Sequence, residues 1–240
     1  MAQPPPLSQI GIGVVAPYDF ALDRELWRWA PDDVSLHLTR LPYAPLAATA
    51  EMAIHISESA LVAAGAMDVR AVSPAVTAYA CTSGSFIGGR AGEAALVAAM
   101  KEAGAPDAVT TSGALLIALR RLGLARIAVV TPYTPDLTHG LSSFLGEAGI
   151  EVVASAGLGL TSEIWMVPYE TTAGLVRATD SAEAEAVFVS CTNLPTYDLI
   201  ATLEADLGKP VLTANQVTMW CALTIAGRKA VGPGQRLLES

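Results

Sequence analysis

The chain has 240 residues, of which 52% are hydrophobic and 15% charged, and its formal net charge is -9. This apolar content excludes a disordered chain and is enough for a large core in one domain or two. The acidic balance excludes a nucleic-acid surface, which needs clustered Lys and Arg, so a small molecule is the expected partner.

Apolar β-type runs alternate with Ala- and Leu-rich helical stretches, which is typical of an α/β fold with parallel sheets. In chain order the pattern predicts strands at 10–16 and 34–39, a helix at 47–64, a strand at 75–80, helices at 90–103 and 113–122, and a strand at 126–131. It then predicts a helix at 137–148, a strand at 152–156, a helix at 171–179, a strand at 186–190, a helix at 194–207, a strand at 211–213 and a helix at 216–226.

The two halves of the chain repeat the same order of elements without obvious sequence identity. This repetition predicts two α/β lobes related by a pseudo-twofold axis, with the active site in the cleft between them. We expect the first lobe at 1–112 and the second at 113–213. The remaining segment, 214–240, is expected to be a helix that returns to the first lobe.

Signals for membrane insertion, secretion and metal binding are missing from the sequence. Its apolar stretches are interrupted well before the ~20 residues that a membrane-spanning helix needs. Residues 1–6 lack the basic and apolar regions of a signal peptide, so we expect a cytoplasmic protein with free thiols. His37, His55 and His139 are scattered singly and no metal-ligand spacing occurs, so no metal is expected.

Two segments place a cysteine at the end of an apolar run: Tyr79-Ala80-Cys81-Thr82-Ser83-Gly84-Ser85 and Val189-Ser190-Cys191-Thr192-Asn193-Leu194. In a buried parallel sheet such a run ends at the carboxyl edge, where α/β folds bind ligands. We therefore expect Cys81 and Cys191 to face one substrate, with about 6 to 9 Å between their sulfurs. Cys221 lies in an apolar helical stretch and is expected to be a core residue.

Small polar residues follow both cysteines, and each cysteine precedes a predicted helix by a few residues. The helix dipole is expected to favour the thiolate. Backbone N–H groups of Thr82, Ser83, Thr192 and Asn193 would form anion sites for a carboxylate or an enolate, and the three hydroxyls add donors. The same residue types are ordinary turn formers and helix caps. Capping a helix and binding an anion use the same geometry, so one residue can do both.

The two cysteine segments resemble the paired motifs of the aspartate/glutamate racemase superfamily, and more closely its maleate cis-trans isomerase and arylmalonate decarboxylase branch. Val129-Val130-Thr131-Pro132-Tyr133 adds to this resemblance, which covers nearly the whole chain. It implies two Rossmann-like lobes, no cofactor, a small carboxylate substrate held between the thiols, and a substrate-contacting role for Tyr133. Tyr133 is otherwise an ordinary loop residue. A homo-oligomer, dimer or tetramer, is also expected.

The resemblance implies several activities. Racemases of this superfamily use both cysteines, the decarboxylase keeps only the second, and the isomerase uses one as nucleophile and the other as acid. Possession of both favours a cofactor-independent two-cysteine isomerase, with Cys81 as nucleophile and Cys191 as acid. An Asp/Glu-type racemase of an amino-acid derivative and an arylmalonate-type decarboxylase stay open as alternatives. A non-catalytic binding protein with the same bilobal fold is the alternative from a different class.

The first loop departs from the maleate isomerase pattern. Asp19 stands where that family usually presents an Asn to the substrate carboxylate, and an acidic side chain suits an ammonium or amidinium group instead. Alternatively, Asp19 caps a helix that starts at Leu22. A second departure, at 159–163, weakens the case for maleate itself. The stretch 17–29 also resembles proteins of ectoine or hydroxyectoine utilisation, whose substrates would carry a carboxylate beside a cationic amidine or amine.

Overall fold

The structure, a computed structural model, describes residues 9–239 and contains two four-stranded sheets flanked by helices. The strands are β1 Ile10–Ala16, β2 Val34–Arg40, β3 Val76–Tyr79, β4 Ala108–Thr110, β5 Arg126–Thr131, β6 Glu151–Gly157, β7 Ala186–Val189 and β8 Val211–Thr213. The helices are α1 Asp23–Trp27, α2 Ala50–Ile56, α3 Ser59–Arg70, α4 Thr82–Phe86, α5 Gly89–Glu102, α6 Thr111–Leu122, α7 Pro135–Glu147, α8 Tyr169–Thr179, α9 Ile200–Leu207, α10 Ala214–Ile225 and α11 Arg236–Glu239.

The two sheets have the same topology. The first has the strand order β2-β1-β3-β4 and the second the order β6-β5-β7-β8, and every strand pair is parallel. Parallel sheets need helical crossovers on their faces, and the helices between the strands supply them. The predicted α/β fold with two lobes of parallel sheet is confirmed.

The inner strands β3 and β7 occupy equivalent places in the two sheets and are buried along their whole length. Their sequences are almost entirely apolar, as strands covered on both faces usually are. Cys81 and Cys191 follow these strands at their carboxyl ends. The repeated topology therefore delivers one thiol from each lobe at equivalent positions.

Helices α6 and α10 also occupy equivalent positions, after β4 and β8, and they pack against each other. Thr110 and Thr213 cap their first turns by accepting backbone N–H groups. A 2.8 Å hydrogen bond joins the hydroxyls of Thr111 and Thr218 across this helix pair. Helix α10 also contacts β3 and β4 of the first sheet. The lobe boundaries given above stay a prediction.

Two sequence predictions about local structure were wrong, and strand β4 was missed. The helix expected at 47–64 is two helices, because Ser57 ends α2 and its hydroxyl bonds back to the Ile54 carbonyl at 2.7 Å. The helix expected at 194–207 starts only with α9, since Pro195 disfavours helical geometry in the residue before it. Strand β4 was not predicted, because a run of three residues is too short to give a periodic signal.

Within residues 9–239, no single helix is long and apolar enough to cross a membrane. Helices α2 and α3 meet that test together by length and composition, but they are bent by 54° at their break. The same part of the chain contains no group of three or more His, Cys, Asp or Glu placed to hold a metal ion. Residues 1–6, on which the expectation about secretion rests, lie outside the described residues.

Candidate active site

The eight residues that the sequence analysis selected line one pocket, although they come from both lobes. The space in it that the centre of a water-sized sphere can reach is about 30 Å³, so the pocket is narrow. The eight are Asp19, Cys81, Thr82, Ser83, Tyr133, Cys191, Thr192 and Asn193.

Cys81 connects β3 to α4 and is the N-cap residue of that short helix. Its sulfur accepts the backbone N–H of Gly84 at 3.3 Å, and the Ser83 hydroxyl lies 3.8 Å from it. A Cβ atom on Gly84 would overlap the Tyr79 hydroxyl and come within 3.2 Å of the sulfur. Glycine at 84 therefore lets the turn close around the thiol.

Cys191 has a different local structure, with a backbone φ of 87°. A residue other than glycine rarely adopts this region, and doing so costs about 1 to 3 kcal/mol. The Cys191 sulfur accepts the backbone N–H of Asn193 at 3.4 Å within a turn. A 3-10 helix at Tyr197–Leu199 leads into α9 at Ile200. The helix that follows Cys191 therefore begins later than the predicted start at 194.

Both pocket thiols are protonated at neutral pH in the unliganded protein. Burial raises the pKa of Cys81 to about 11 and that of Cys191 to about 12. The N–H groups of Gly84 and Asn193 lower these pKa values, but desolvation is the larger effect. The local N–H groups thus act in the direction expected, but burial outweighs them.

Asp19 lies in the loop after β1, and this loop contacts the second lobe. The Asn193 amide donates to the Asp19 carbonyl at 3.0 Å and accepts the Ala21 N–H at 2.9 Å. Helix α1 has Leu22 as its N-cap residue and no side-chain cap, so Asp19 does not cap it. Burial raises the pKa of the Asp19 carboxyl, and hydrogen bonds from its own backbone and Asn193 oppose this rise.

The hydroxyls of the site differ in what they can offer a ligand. The Thr192 hydroxyl donates to the Ala80 carbonyl at 3.1 Å, so its one proton is used, and the expectation that it adds a donor was wrong. The Thr82 hydroxyl is buried without a hydrogen-bond partner among the described residues. Such a group usually has a partner. The Ser83 hydroxyl is also near the pocket thiol of Cys81.

Tyr133 lies beyond β5 and is buried, with its ring 6.2 Å from that of Phe86. The Ser190 hydroxyl donates to its phenolic oxygen at 3.4 Å. Burial raises the pKa of Tyr133 well above its usual value, so the phenol stays protonated. The phenol also lowers the pKa of Cys191 by hydrogen bonding, which places its proton on the side of that thiol.

The rest of the pocket wall was not predicted, because its members are mostly apolar and carry no motif. Part of it belongs to a loop between β2 and α2 that reaches the second lobe, where the Ala48 N–H donates to the Thr161 carbonyl at 2.8 Å. The wall has no Lys, Arg or His among the residues that the structure describes. Its other members are Pro17, Phe20, Ala48, Thr49, Met52, Ile56, Leu137 and Ile164.

Comparison with known proteins gives one family. The family model described as arylmalonate decarboxylase matches residues 55–238. The arylmalonate decarboxylase of Bordetella bronchiseptica is 36% identical over 157 residues, which are 64% of this chain and 65% of that protein. The aligned region thus spans slightly less than two thirds of that relative. The maleate isomerase of Nocardia farcinica is 29% identical over 182 residues, 72% of each chain.

Solved structures extend the likeness to almost the whole chain. A liganded double mutant of arylmalonate decarboxylase has a TM-score of 0.87 at 31% identity, covering 95% of this chain and 98% of that one. A Nocardia farcinica maleate cis-trans isomerase mutant, with a covalently bound succinylcysteine intermediate, has a TM-score of 0.84 at 24% identity and the same coverage. The second likeness supports the fold alone. The chain therefore belongs to the arylmalonate decarboxylase family, in the branch that also contains the maleate isomerases.

Proposed function

We propose that this protein is a cofactor-independent isomerase of a small carboxylate, similar to maleate cis-trans isomerase, in which Cys81 and Cys191 act on one substrate. The observation that carries the proposal is that both thiols line one pocket, each at the end of the equivalent strand of its lobe. A reaction that needs a nucleophile and an acid at neighbouring carbons uses such a pair.

In this mechanism Cys81 is the nucleophile, as the resemblance to the isomerase implies, and the Gly84 N–H bonded to its sulfur would stabilise the thiolate. Cys81 first releases its proton to water, and the thiolate then attacks one alkene carbon; the proton returns to Cys81 from water after the product leaves. A C–S bond forms while the alkene electron pair moves toward the substrate carboxylate. The thiol of Cys191 protonates the neighbouring carbon. After rotation about the new single bond, Cys191 takes that proton back and the C–S bond breaks.

The substrate carboxylate is assigned to the donors near the first thiol. The buried Thr82 hydroxyl has no partner within residues 9–239, and Ser83 lies beside Cys81. On the side of the second thiol, Tyr133 contacts Ser190 and keeps its phenolic proton because burial raises its pKa. Hydrogen bonds from these groups would strengthen as negative charge develops on the carboxylate oxygens.

A second candidate is decarboxylation of a disubstituted malonate, in which Cys191 protonates the resulting enolate. The apolar part of the wall, with Met52, Ile56 and Leu137, favours it because an apolar substituent would pack there. Cys81 would then have no obvious role. For that reason we place this activity second. Racemisation with the two thiols on opposite faces of an α-carbon is a further outcome of the test below.

Three readouts on the purified protein in D2O separate these activities. With a cis-alkene carboxylate, tested both as maleate and as an unsaturated amino acid, the proposed isomerase changes the ultraviolet absorbance without stable incorporation of deuterium. Racemisation of an amino acid incorporates deuterium with loss of optical rotation, and decarboxylation of a malonate releases CO2. The Cys221→Ser variant is the matched control, since this third thiol does not line the pocket. Absence of all three activities would support the non-catalytic alternative and contradict the proposal.

We also propose a cytoplasmic location and a homo-oligomer, dimer or tetramer. Sedimentation of the purified protein tests the assembly. The separation of about 6 to 9 Å between the two sulfurs stays a prediction, because a substrate carbon must fit between them.

A further inference from the structure

Asp19 lines the same pocket as both thiols, and its carboxyl forms no ion pair within residues 9–239. The carboxylate of Asp23, by contrast, pairs with Arg40 at 2.6 Å. The Asp19 backbone and Asn193 supply hydrogen bonds to the Asp19 carboxyl but no positive charge. Charged groups away from water are usually paired, so a ligand cation is a suitable partner for this half-buried carboxyl.

The position of Asp19 is fixed by contacts from the other lobe. The Asn193 side chain bonds the Asp19 carbonyl and the Ala21 N–H, which uses both ends of the amide. The loop after β1 is therefore held against the residues that follow Cys191. A polar group held in this way can recognise a ligand without a large cost in ordering the loop.

The charges in the pocket do not balance when an anionic substrate is bound. A substrate carboxylate and a thiolate would both lie near Asp19, and burial makes their mutual repulsion stronger than in water. Asp19 itself contributes to the raised pKa of both thiols. Because no Lys, Arg or His of the described chain lines the pocket, only the ligand can bring a positive charge.

We infer that the substrate is a zwitterion, with one carboxylate toward Thr82 and Ser83 and a cationic nitrogen, as an ammonium or amidinium group, against Asp19. This inference rests on the proposed function for the placement of the carboxylate. The apolar wall, which includes Phe20, Met52 and Leu137, contacts the short carbon skeleton between the two charged ends. A dicarboxylate would place its second negative charge at Asp19 and is disfavoured.

Binding measured by calorimetry tests the charge preference without requiring turnover. The probes are butyrate and 2-, 3- and 4-aminobutyrate, which share a skeleton and differ in the presence and position of one ammonium group. At least one amino compound is expected to bind wild-type protein at least about tenfold more tightly than butyrate, as charge-assisted hydrogen bonds allow. Asp19→Asn should abolish that preference, whereas Asp19→Glu should keep part of it. Asp32→Asn, which removes an exposed carboxylate, is the matched control and should change nothing.

Other results would overturn the inference. Equal or tighter binding of butyrate to wild-type protein would do so, and so would an ammonium preference that survives Asp19→Asn. Tighter binding of succinate than of every amino compound would mean that Asp19 acts as a protonated donor to a second carboxylate. If Asp19→Asn does not fold, the preference of the wild-type protein for an amino compound over butyrate tests the inference by itself. An Asp19-dependent preference without turnover of any carboxylate would contradict the proposed function but not this inference.

Discussion

The Thr192 hydroxyl donates a 3.1 Å hydrogen bond to the carbonyl of Ala80. Thr192 follows Cys191, and Ala80 precedes Cys81, so this bond joins the two cysteine segments across the lobes. Both groups are buried. The relative position of the two thiols therefore depends in part on one hydrogen bond between neighbouring residues.

Replacing Thr192 by Val should destabilise the protein and slow its reaction. The Ala80 carbonyl would stay buried without this partner, at a cost of about 1 to 3 kcal/mol. Urea unfolding and initial rates measure the two effects. Thr192→Ser keeps the hydroxyl and is the matched control. Unchanged stability and rate in Thr192→Val would show that this bond does not hold the thiols in place.

Alkylation of the pocket thiols by iodoacetamide should depend on pH in the alkaline range. Only thiolates react, and the pKa values of about 11 for Cys81 and about 12 for Cys191 keep both thiols protonated at pH 7. The rate at each cysteine, followed by peptide mass spectrometry, should rise from pH 7 to 10 without reaching a plateau. Free cysteine, with a pKa near ~8.5, should level off within this range. A plateau below pH 9 at either pocket thiol would mean that it ionises more readily than its burial indicates.

Asn215 should act as a positioning residue for the Cys191 loop. Its buried amide donates to the Thr192 carbonyl at 2.9 Å and to the Glu25 carboxyl at 3.0 Å. Asn215→Ala leaves both acceptors without this donor, so we expect a loss of about 1 to 3 kcal/mol in unfolding free energy and a lower kcat. Thr224→Ala, at the exposed end of the same helix, should change stability by less than about 0.5 kcal/mol. Equal effects of the two substitutions would argue against a positioning role.

Tyr133→Phe should weaken substrate binding without unfolding the protein. The ring and its contact with Phe86 remain, and only the phenolic proton donor is lost. One hydrogen bond to a charged group is worth about 1.5 to 3 kcal/mol, so KM should rise at least about tenfold. Tyr169→Phe removes a phenol outside the pocket and is the control. A KM equal to that of wild type would assign Tyr133 to packing alone.

Much of the fold could be predicted from the sequence, because strands such as β5 and β7 are short apolar runs bounded by turn residues. Periodicity could not locate β4, which has only three residues, or the break at Ser57, which depends on one local hydrogen bond. The delayed start of α9 had a visible cause in Pro195. That signal was outweighed by the helical composition of the residues after it.

The site was predicted in part for similar reasons. Cys81 and Cys191 end apolar strands, and topology alone brings such ends together. The pKa values of their thiols depend on burial by elements distant in sequence, which outweighs the lowering by the local N–H groups. Ala48 and Ile164 could not be predicted as pocket residues either, because the segments that carry them contain no motif. The contact of Asn193 with the Asp19 loop likewise depends on tertiary structure.

The most direct test of the two-thiol mechanism compares three single substitutions on any carboxylate that the wild-type protein turns over. Cys81→Ser and Cys191→Ser should each lower kcat by at least about 100-fold, which is the usual contribution of a positioned acid, base or nucleophile. Cys221→Ser should keep the wild-type rate, since that buried thiol lies outside the pocket. Intact-mass spectrometry of Cys191→Ser should detect a substrate adduct on Cys81. A wild-type rate in either pocket variant would contradict the claim that both thiols act on one substrate.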